Sequence, residues 1–161
     1  MAELPKVMEY LVAHYPHKAE LSKARLTKMV YLADWKSALD RGCQMTDIEW
    51  RFHHFGPYVE DVYKAALTNP NFEVVSELNA FGKPKDRIGL VAAANPAELS
   101  EEDRRILDHV IAETQRLSWD AFIKLVYSTY PVLTGVRGAK LDLLESAEAY
   151  RDIGASLAET A

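Results

Sequence analysis

Residues 25–35 read RLTKMVYLADW, and this stretch decides the fold because it is apolar on nearly every side of a helix. The spacing of its apolar residues predicts a helix from about Ser22 to Asp40, which Gly42 ends. A surface helix keeps a wide polar face, whereas a helix without one is usually buried at the centre of a domain. We therefore expect the rest of the chain to pack around this segment.

Shorter elements flank the central helix. Before it, apolar residues recur at helical spacing from Leu4 to Val12. After it, IEWRFHHF (48–55) predicts a short strand that ends at Gly56. Pro57 suits the first turn of a further helix, where its missing N–H costs nothing. The stretch HHFGP is thus predicted to be a turn from a strand into a helix.

The second half of the chain predicts a β-hairpin followed by helices. FEVVSEL (72–78) and DRIGLVA (86–92) alternate as strands do, and FGKPKD (81–86) between them is rich in turn residues. Three more helices are predicted to begin after Ser100, Ser118 and Asp142; the second ends at Pro131, and a loop follows over 132–140. The expected fold is a single α+β domain spanning 1–161, predominantly helical, with about six helices and a small antiparallel sheet.

Composition limits the classes of partner. The 161 residues carry a net charge of −5, so the chain as a whole gains little from the counterion release that drives nucleic-acid binding. Cys43 is the only cysteine, which fits a reducing compartment. No apolar run is long enough for a membrane helix, and the first ten residues lack the order of a signal peptide. We expect a cytoplasmic protein without a nucleic-acid or membrane partner, and a bacterial or phage origin is a guess.

The candidate catalytic and metal-binding residues favour neither role. Adjacent strand residues point to opposite faces, so His53 and His54 are poorly placed to share one metal ion, and one ring is expected to pack inward. Asp40 and Asp47 flank Cys43, and this acidic neighbourhood argues against a reactive thiolate. No nucleophile elbow or phosphate-binding glycine loop is present. The sequence predicts no enzyme, metal or cofactor, and a hydrolase using His53 or His54 is the weakest hypothesis.

Two surface features leave alternatives open. Lys83, Lys85 and Arg87 lie near the hairpin tip, where they could contact phosphates in the manner of a winged helix or simply keep the edge soluble. The acidic total favours the second interpretation. Aromatic residues are dense in one third of the chain, and most are expected in the core, with one or two left for a partner: Tyr31, Trp35, Trp50, Phe52, Phe55, Tyr58 and Tyr63.

RLTKMVYLADW (25–35) followed by DIEWRFHHFGPYVEDVYKAAL (47–67) resembles the Panacea antitoxin domain, whose founding type is the SocA-like proteolytic adapter. That family has a K-L-x-Y-x-A-D/Q helix and, some residues later, an aromatic-Gly-Pro-x-V turn. The matching residues are Lys28, Tyr31, Ala33, Phe55, Gly56, Pro57 and Val59. Phe55 stands where a tyrosine is usual, so the ring is kept and the hydroxyl is lost.

The resemblance implies an antitoxin that neutralises a co-encoded toxin by direct binding. In the SocA-like branch the antitoxin also delivers the toxin to a cytosolic protease. Gly56 and Pro57 would form the turn, and the side chains around it are the expected contacts for the toxin: His53, His54, Phe55, Tyr58, Glu60 and Asp61. The sequence does not predict an oligomeric state.

Overall fold

The structure, a computed structural model, describes residues 1–93, 95 and 98–160. Within them lie seven α-helices, a short 3-10 helix (Lys18–Glu20) and two antiparallel two-stranded sheets, which confirms the predicted α+β class with helix predominant. In chain order the elements are α1 (Leu4–His14), α2 (Lys23–Arg41), β1 (Phe52–His53), β2 (Gly56–Pro57), α3 (Asp61–Thr68), β3 (Phe72–Leu78), β4 (Pro84–Leu90), α4 (Glu101–Thr114), α5 (Trp119–Tyr127), α6 (Tyr130–Thr134) and α7 (Leu143–Thr160). None of the helices in these ranges is long and apolar enough to cross a membrane.

Helix α2 is the centre of the molecule, as its sequence predicts. The hydroxyl of Ser22 caps its first turn by accepting from the backbone N–H of Arg25 at 3.1 Å, and Gly42 ends it at a φ of 73°. Helices α1, α3, α4 and α7 and strand β4 all pack against α2. Its burial extends to charged residues, because Lys28 and Asp34 are at most 2% exposed. Both side chains therefore need polar contacts inside the core.

The predicted β-hairpin is present. Strands β3 and β4 pair without a bulge from Phe72 opposite Leu90 to Leu78 opposite Pro84. The second strand begins two residues before the predicted start, because the turn is confined to 79–83. Ile88 donates its N–H to the carbonyl of Leu21 at 2.9 Å, so β4 is joined to the segment that leads into α2.

The segment before α3 differs from its prediction. Of the strand expected over 48–55, only Phe52–His53 forms a strand, and its partner is Gly56–Pro57. Arg51 before it makes an isolated antiparallel bridge with Lys140. Pro57 therefore does not begin a helix, and α3 starts at Asp61. The physical reason is the φ of +97° at Gly56, which turns the chain back alongside Phe52 rather than onward into a helix.

The C-terminal region also departs in one place. Helix α5 ends at Tyr127, and Pro131 lies in the first turn of the separate helix α6, so the predicted loop over 132–140 is partly helical. The last helix begins directly after Asp142, as predicted, and the Asp142 carboxylate caps it by accepting from the N–H of Glu145 at 3.0 Å. Arg151 of α7 donates to two carbonyls near the end of α2, which fixes the two helices together.

Candidate functional site

The stretch Phe52–Pro57 folds back on itself as a very short hairpin with His54 and Phe55 at its turn. Gly56 permits this geometry for two reasons. Its positive φ is one that side chains rarely adopt, and a Cβ at this position would lie 3.3 Å from Cε2 of Tyr127. The sequence was therefore right that Gly56 reverses the chain, although Pro57 continues a strand.

Three side chains of this hairpin face outward. His53, His54 and Phe55 are all exposed, and Phe55 is exposed to 77%. The expectation that one imidazole packs inward is wrong, because β1 is only two residues long and His54 already belongs to the turn. The two rings meet edge to face at 5.2 Å. Among the described residues no group of three metal-ligating side chains forms around them.

A shallow groove of about 510 Å³ opens beside the hairpin. Four of the six expected contact residues line it, namely His53, Tyr58, Glu60 and Asp61, and they are joined by Asp47, Glu49, Arg51 and Val59. His54 and Phe55 are not part of the lining and stand at the exposed turn. The groove is acidic, with four carboxylates against one arginine. Within the described part of the chain, Glu49 alone of these carboxylates has an ion pair, with Lys140 at 3.6 Å.

Tyr58 forms part of the groove wall, and the far end of its side chain lies inside the domain. Its ring is partly exposed, but its hydroxyl is buried and has no hydrogen-bond partner among the described residues. Burial, followed by the nearby Glu60 carboxylate, raises the pKa of Tyr58 to about 12. The ammonium of Lys28 lies 5.6 Å from the centre of the Tyr58 ring. Tyr58 therefore lines the groove and also contacts the buried side chain of Lys28.

Lys28 is the most unusual group of this region. It is 2% exposed and makes no ion pair or hydrogen bond with the described residues, so its one polar contact is the face of Tyr58. Burial lowers its pKa to about 8. Its Cε lies 3.8 Å from where a Cβ on Gly56 would be. The family-like residues of α2 and of the hairpin thus meet directly, which their spacing along the sequence could not show.

Two further residues of α2 hold the segment that precedes the hairpin. Tyr31 packs its ring edge-on against Trp50 at 5.4 Å and shares a hydrogen bond of 2.8 Å with Thr129. Asp34 accepts from the backbone N–H and hydroxyl of Thr46 at 2.8 and 2.6 Å and from the indole N–H of Trp50 at 2.9 Å. Burial raises the pKa of Asp34 to about 6 even though these bonds favour the carboxylate.

Sequence reasoning missed the role of Asp34. A signal was present, because a carboxylate on a helix expected to be buried must find hydrogen-bond donors. The donors themselves, Thr46 and Trp50, lie 12 and 16 residues away in a segment with no regular structure of its own. Hydrogen bonds to an irregular segment cannot be predicted from the spacing of residues in the sequence.

The basic residues near the β3–β4 turn do not act as one patch. Lys85 donates to the carbonyl of Ala19 at 2.7 Å and lies 3.6 Å from the carboxylate of Glu77. Arg87 contacts the same carboxylate at 3.2 Å. Lys83 has no ion pair within the described residues. Two of the three charges are therefore already engaged inside the domain.

Comparison with models of known protein families identifies a match. A family model described as antitoxin SocA-like, Panacea domain, matches residues 26–131. The match begins within α2 and ends in α6, so it includes the hairpin, the groove and the buried residues of α2 that support them. No curated protein and no solved structure matches the chain.

Proposed function

The chain belongs to the family of SocA-like antitoxins with a Panacea domain, and from this premise we propose that it neutralises a co-encoded toxin by direct protein–protein binding. The observation that carries the proposal is the exposed Phe55 at the turn of a short hairpin, beside an open acidic groove. Binding of this kind requires a fixed surface and no chemistry, so we propose a non-catalytic protein.

The proposed contact surface consists of the turn and the groove: His53, His54, Phe55, Tyr58, Glu60 and Asp61. An exposed aromatic ring on a fixed backbone can be buried by a partner at little conformational cost, and such residues often dominate interface energies. Phe55 is therefore the proposed anchor. Glu60 and Asp61 would contribute electrostatic complementarity at the rim.

Replacement of Phe55 by Ala tests the proposal. Because Phe55 is 77% exposed, Phe55→Ala should leave the melting temperature nearly unchanged. Its affinity for the purified product of the toxin gene beside its own should fall by roughly 2 kcal/mol, or about thirtyfold. The matched control is Leu133→Ala, which removes an apolar side chain that is 68% exposed on α6, outside the groove. The measurements are thermal melting and calorimetric titration.

Each outcome separates two ideas. Equal affinities for wild type and Phe55→Ala would move the interface away from the turn. No binding by the wild-type protein, together with no rescue of growth on co-expression with the toxin gene, would refute toxin neutralisation itself.

The family resemblance extends the proposal to location and fate. We place the protein in the cytoplasm, where it would deliver the bound toxin to a protease in the manner of the SocA-like branch. The half-life of the toxin, followed after translation is stopped, should shorten when the antitoxin is present and recover in cells that lack the protease. A toxin half-life that the antitoxin leaves unchanged would limit its role to binding.

A DNA-binding role through Lys83, Lys85 and Arg87 has no observation in its favour. Phosphate contacts need cations that are free to reach the backbone of the nucleic acid. Glu77 and the carbonyl of Ala19 already occupy two of these three side chains.

A further inference from the structure

Along each strand of the β3–β4 hairpin, the backbone N–H and C=O groups of successive residues point alternately toward the partner strand and away from it. The hydrogen bonds at the two ends of the hairpin show which residues point toward the partner. Asn79 donates to Lys83 at the turn, and Val91 donates to Asn71 at the open end. In an antiparallel pair, bonded and non-bonded pairs alternate, so the odd-numbered residues of β3 face β4. The even-numbered residues of β3 consequently direct their backbone N–H and C=O groups away from the hairpin.

The two outer edges of this hairpin differ in how many of their outward backbone groups are hydrogen-bonded. On β4, the outward N–H of Ile88 bonds Leu21, and Pro84 has no N–H to offer. On β3, the outward N–H of Phe72 bonds Asn69. The outward groups of Val74, Ser76 and Leu78 bond no atom of the described residues. Among the described residues, three consecutive ladder positions are thus open on β3, whereas the bond of Ile88 interrupts the outer edge of β4.

Open edges of this kind are normally blocked, because they recruit other strands. Strand β3 has neither a bulge nor a proline, and its two charged residues, Glu73 and Glu77, are acidic, so they would repel an acidic strand but not a basic one. From this edge we infer a docking site: we propose that Val74, Ser76 and Leu78 pair with a β-strand of the toxin, which adds a third strand to the hairpin. This inference rests on the proposed function and gives the complex a second contact besides the turn at Phe55.

The side chains of β3 define the partner strand. One face carries Glu73 and Glu77, and among the described residues Glu73 has no ion pair. The other face carries Val74, which is half-buried, and Leu78, which is 68% exposed. Opposite residues on paired strands share a face, so the partner strand should alternate lysine or arginine with apolar residues.

A second copy of this chain is a poorer occupant. Antiparallel pairing of two β3 edges brings Glu73 or Glu77 of one copy opposite or diagonal to a glutamate of the other in every overlapping register that matches the outward groups. Like charges at those positions destabilise a strand pair. The charge of the edge therefore favours a basic strand over its own copy.

Amide hydrogen exchange measured by NMR tests the pairing residue by residue. In the free protein the amides of Val74, Ser76 and Leu78 should exchange quickly, while those of Val75 and Glu77 are protected by β4. In the complex with the purified toxin, exchange at the three outward amides should slow by about tenfold or more. Unchanged exchange at these three amides in the complex would overturn the inference, as would protection already present in the free monomer.

A pair of variants at one position supplies the matched control. Ser76→Pro removes an outward N–H and leaves the bonds to β4 intact, whereas Ser76→Ala keeps the N–H. Both variants lose the hydrogen bond from the Ser76 hydroxyl to Asp86, so their difference isolates the edge. Ser76→Pro should bind the toxin about tenfold more weakly than Ser76→Ala. If Ser76→Pro fails to fold, Glu73→Lys is the substitute, and it should weaken binding by repelling the basic strand.

The two proposals fail differently. If the toxin does not bind the wild-type protein, both toxin neutralisation and strand pairing are refuted. A toxin that binds wild type and the Ser76→Pro and Glu73→Lys variants equally, yet loses affinity for Phe55→Ala, removes only the strand pairing.

Discussion

At the scale of one residue, Lys28 is a buried charged side chain that we expect to lower the stability of the fold. Among the described residues its ammonium makes no hydrogen bond or ion pair and lies over the face of Tyr58, so we expect its burial to destabilise the fold. Lys28→Met should therefore raise the free energy of unfolding at pH 7 by about 1–3 kcal/mol. The control is Lys64→Met on the exposed face of α3, which should stay within about 0.5 kcal/mol of wild type. A stability loss in Lys28→Met would show that the ammonium is better solvated than its burial indicates.

The same residue sets the direction of a pH dependence. The pKa of Lys28 is about 8 in the folded chain against 10.5 for an ordinary lysine. Between those values the unfolded chain binds the proton that the folded chain has released, so the Lys28 contribution to stability rises with pH in this window. Urea unfolding at pH 7 and about pH 9.5 should show that the advantage of Lys28→Met over wild type shrinks as the pH rises.

Gly56, in contrast to Lys28, is a residue whose replacement should destabilise the fold, because its backbone conformation favours glycine. Gly56→Ala combines an unfavourable positive φ with a 3.3 Å approach to Tyr127, so it should lower the free energy of unfolding by about 1 kcal/mol or more. Gly154→Ala is the matched control, because Gly154 lies in helix α7 with open space around it and should gain up to about 1 kcal/mol. Urea unfolding of both variants measures the contrast. Equal effects at the two sites would remove the special role of the Gly56 conformation.

At the scale of elements, Asp34 joins α2 to the irregular segment before the hairpin. Asp34→Asn keeps one acceptor oxygen and turns an amide N–H₂ toward donors, so it should cost about 2–3 kcal/mol of stability. Asp108→Asn serves as the control, since Asp108 is exposed and accepts one bond from the described side chains, that of Tyr10 at 2.6 Å. Its loss should stay below about 1 kcal/mol. Chemical denaturation compares the two, and an Asp34→Asn loss no larger than the control would deny Asp34 this structural role.

The elements that the sequence predicted well are those with a local cause. Helix α2 followed from its all-round apolar pattern, and the helix starts after Ser100, Ser118 and Asp142 followed from the local sequence. The hairpin of residues 52–57 did not, because Gly56 can start a turn of several kinds and the one adopted depends on packing against Lys28 and Tyr127. The groove lies between the two arms of the stretch 47–61 that this hairpin brings together, so it could not be predicted without the hairpin.

For the whole molecule, the family match ends at residue 131, but the core does not. Leu143 at the start of α7 is 1% exposed and belongs to the same apolar cluster as α2. Leu143→Ala should lower the free energy of unfolding by about 2–5 kcal/mol and shift one cooperative transition. Leu144→Ala, at a neighbouring position that is 45% exposed, should have a small effect. A second, separate transition would show instead that α7 unfolds as its own unit.

The bonds of Asp34 also bear on the order of events during synthesis. Its partners follow it by only 12 and 16 positions, so closing this loop costs little entropy compared with the contacts between α2 and α7. Once the ribosome has released Trp50, α2 and the segment after it can associate before the last helices exist. We predict that these contacts are part of the folding nucleus, so Asp34→Asn should slow refolding more than it speeds unfolding, which stopped-flow kinetics can resolve.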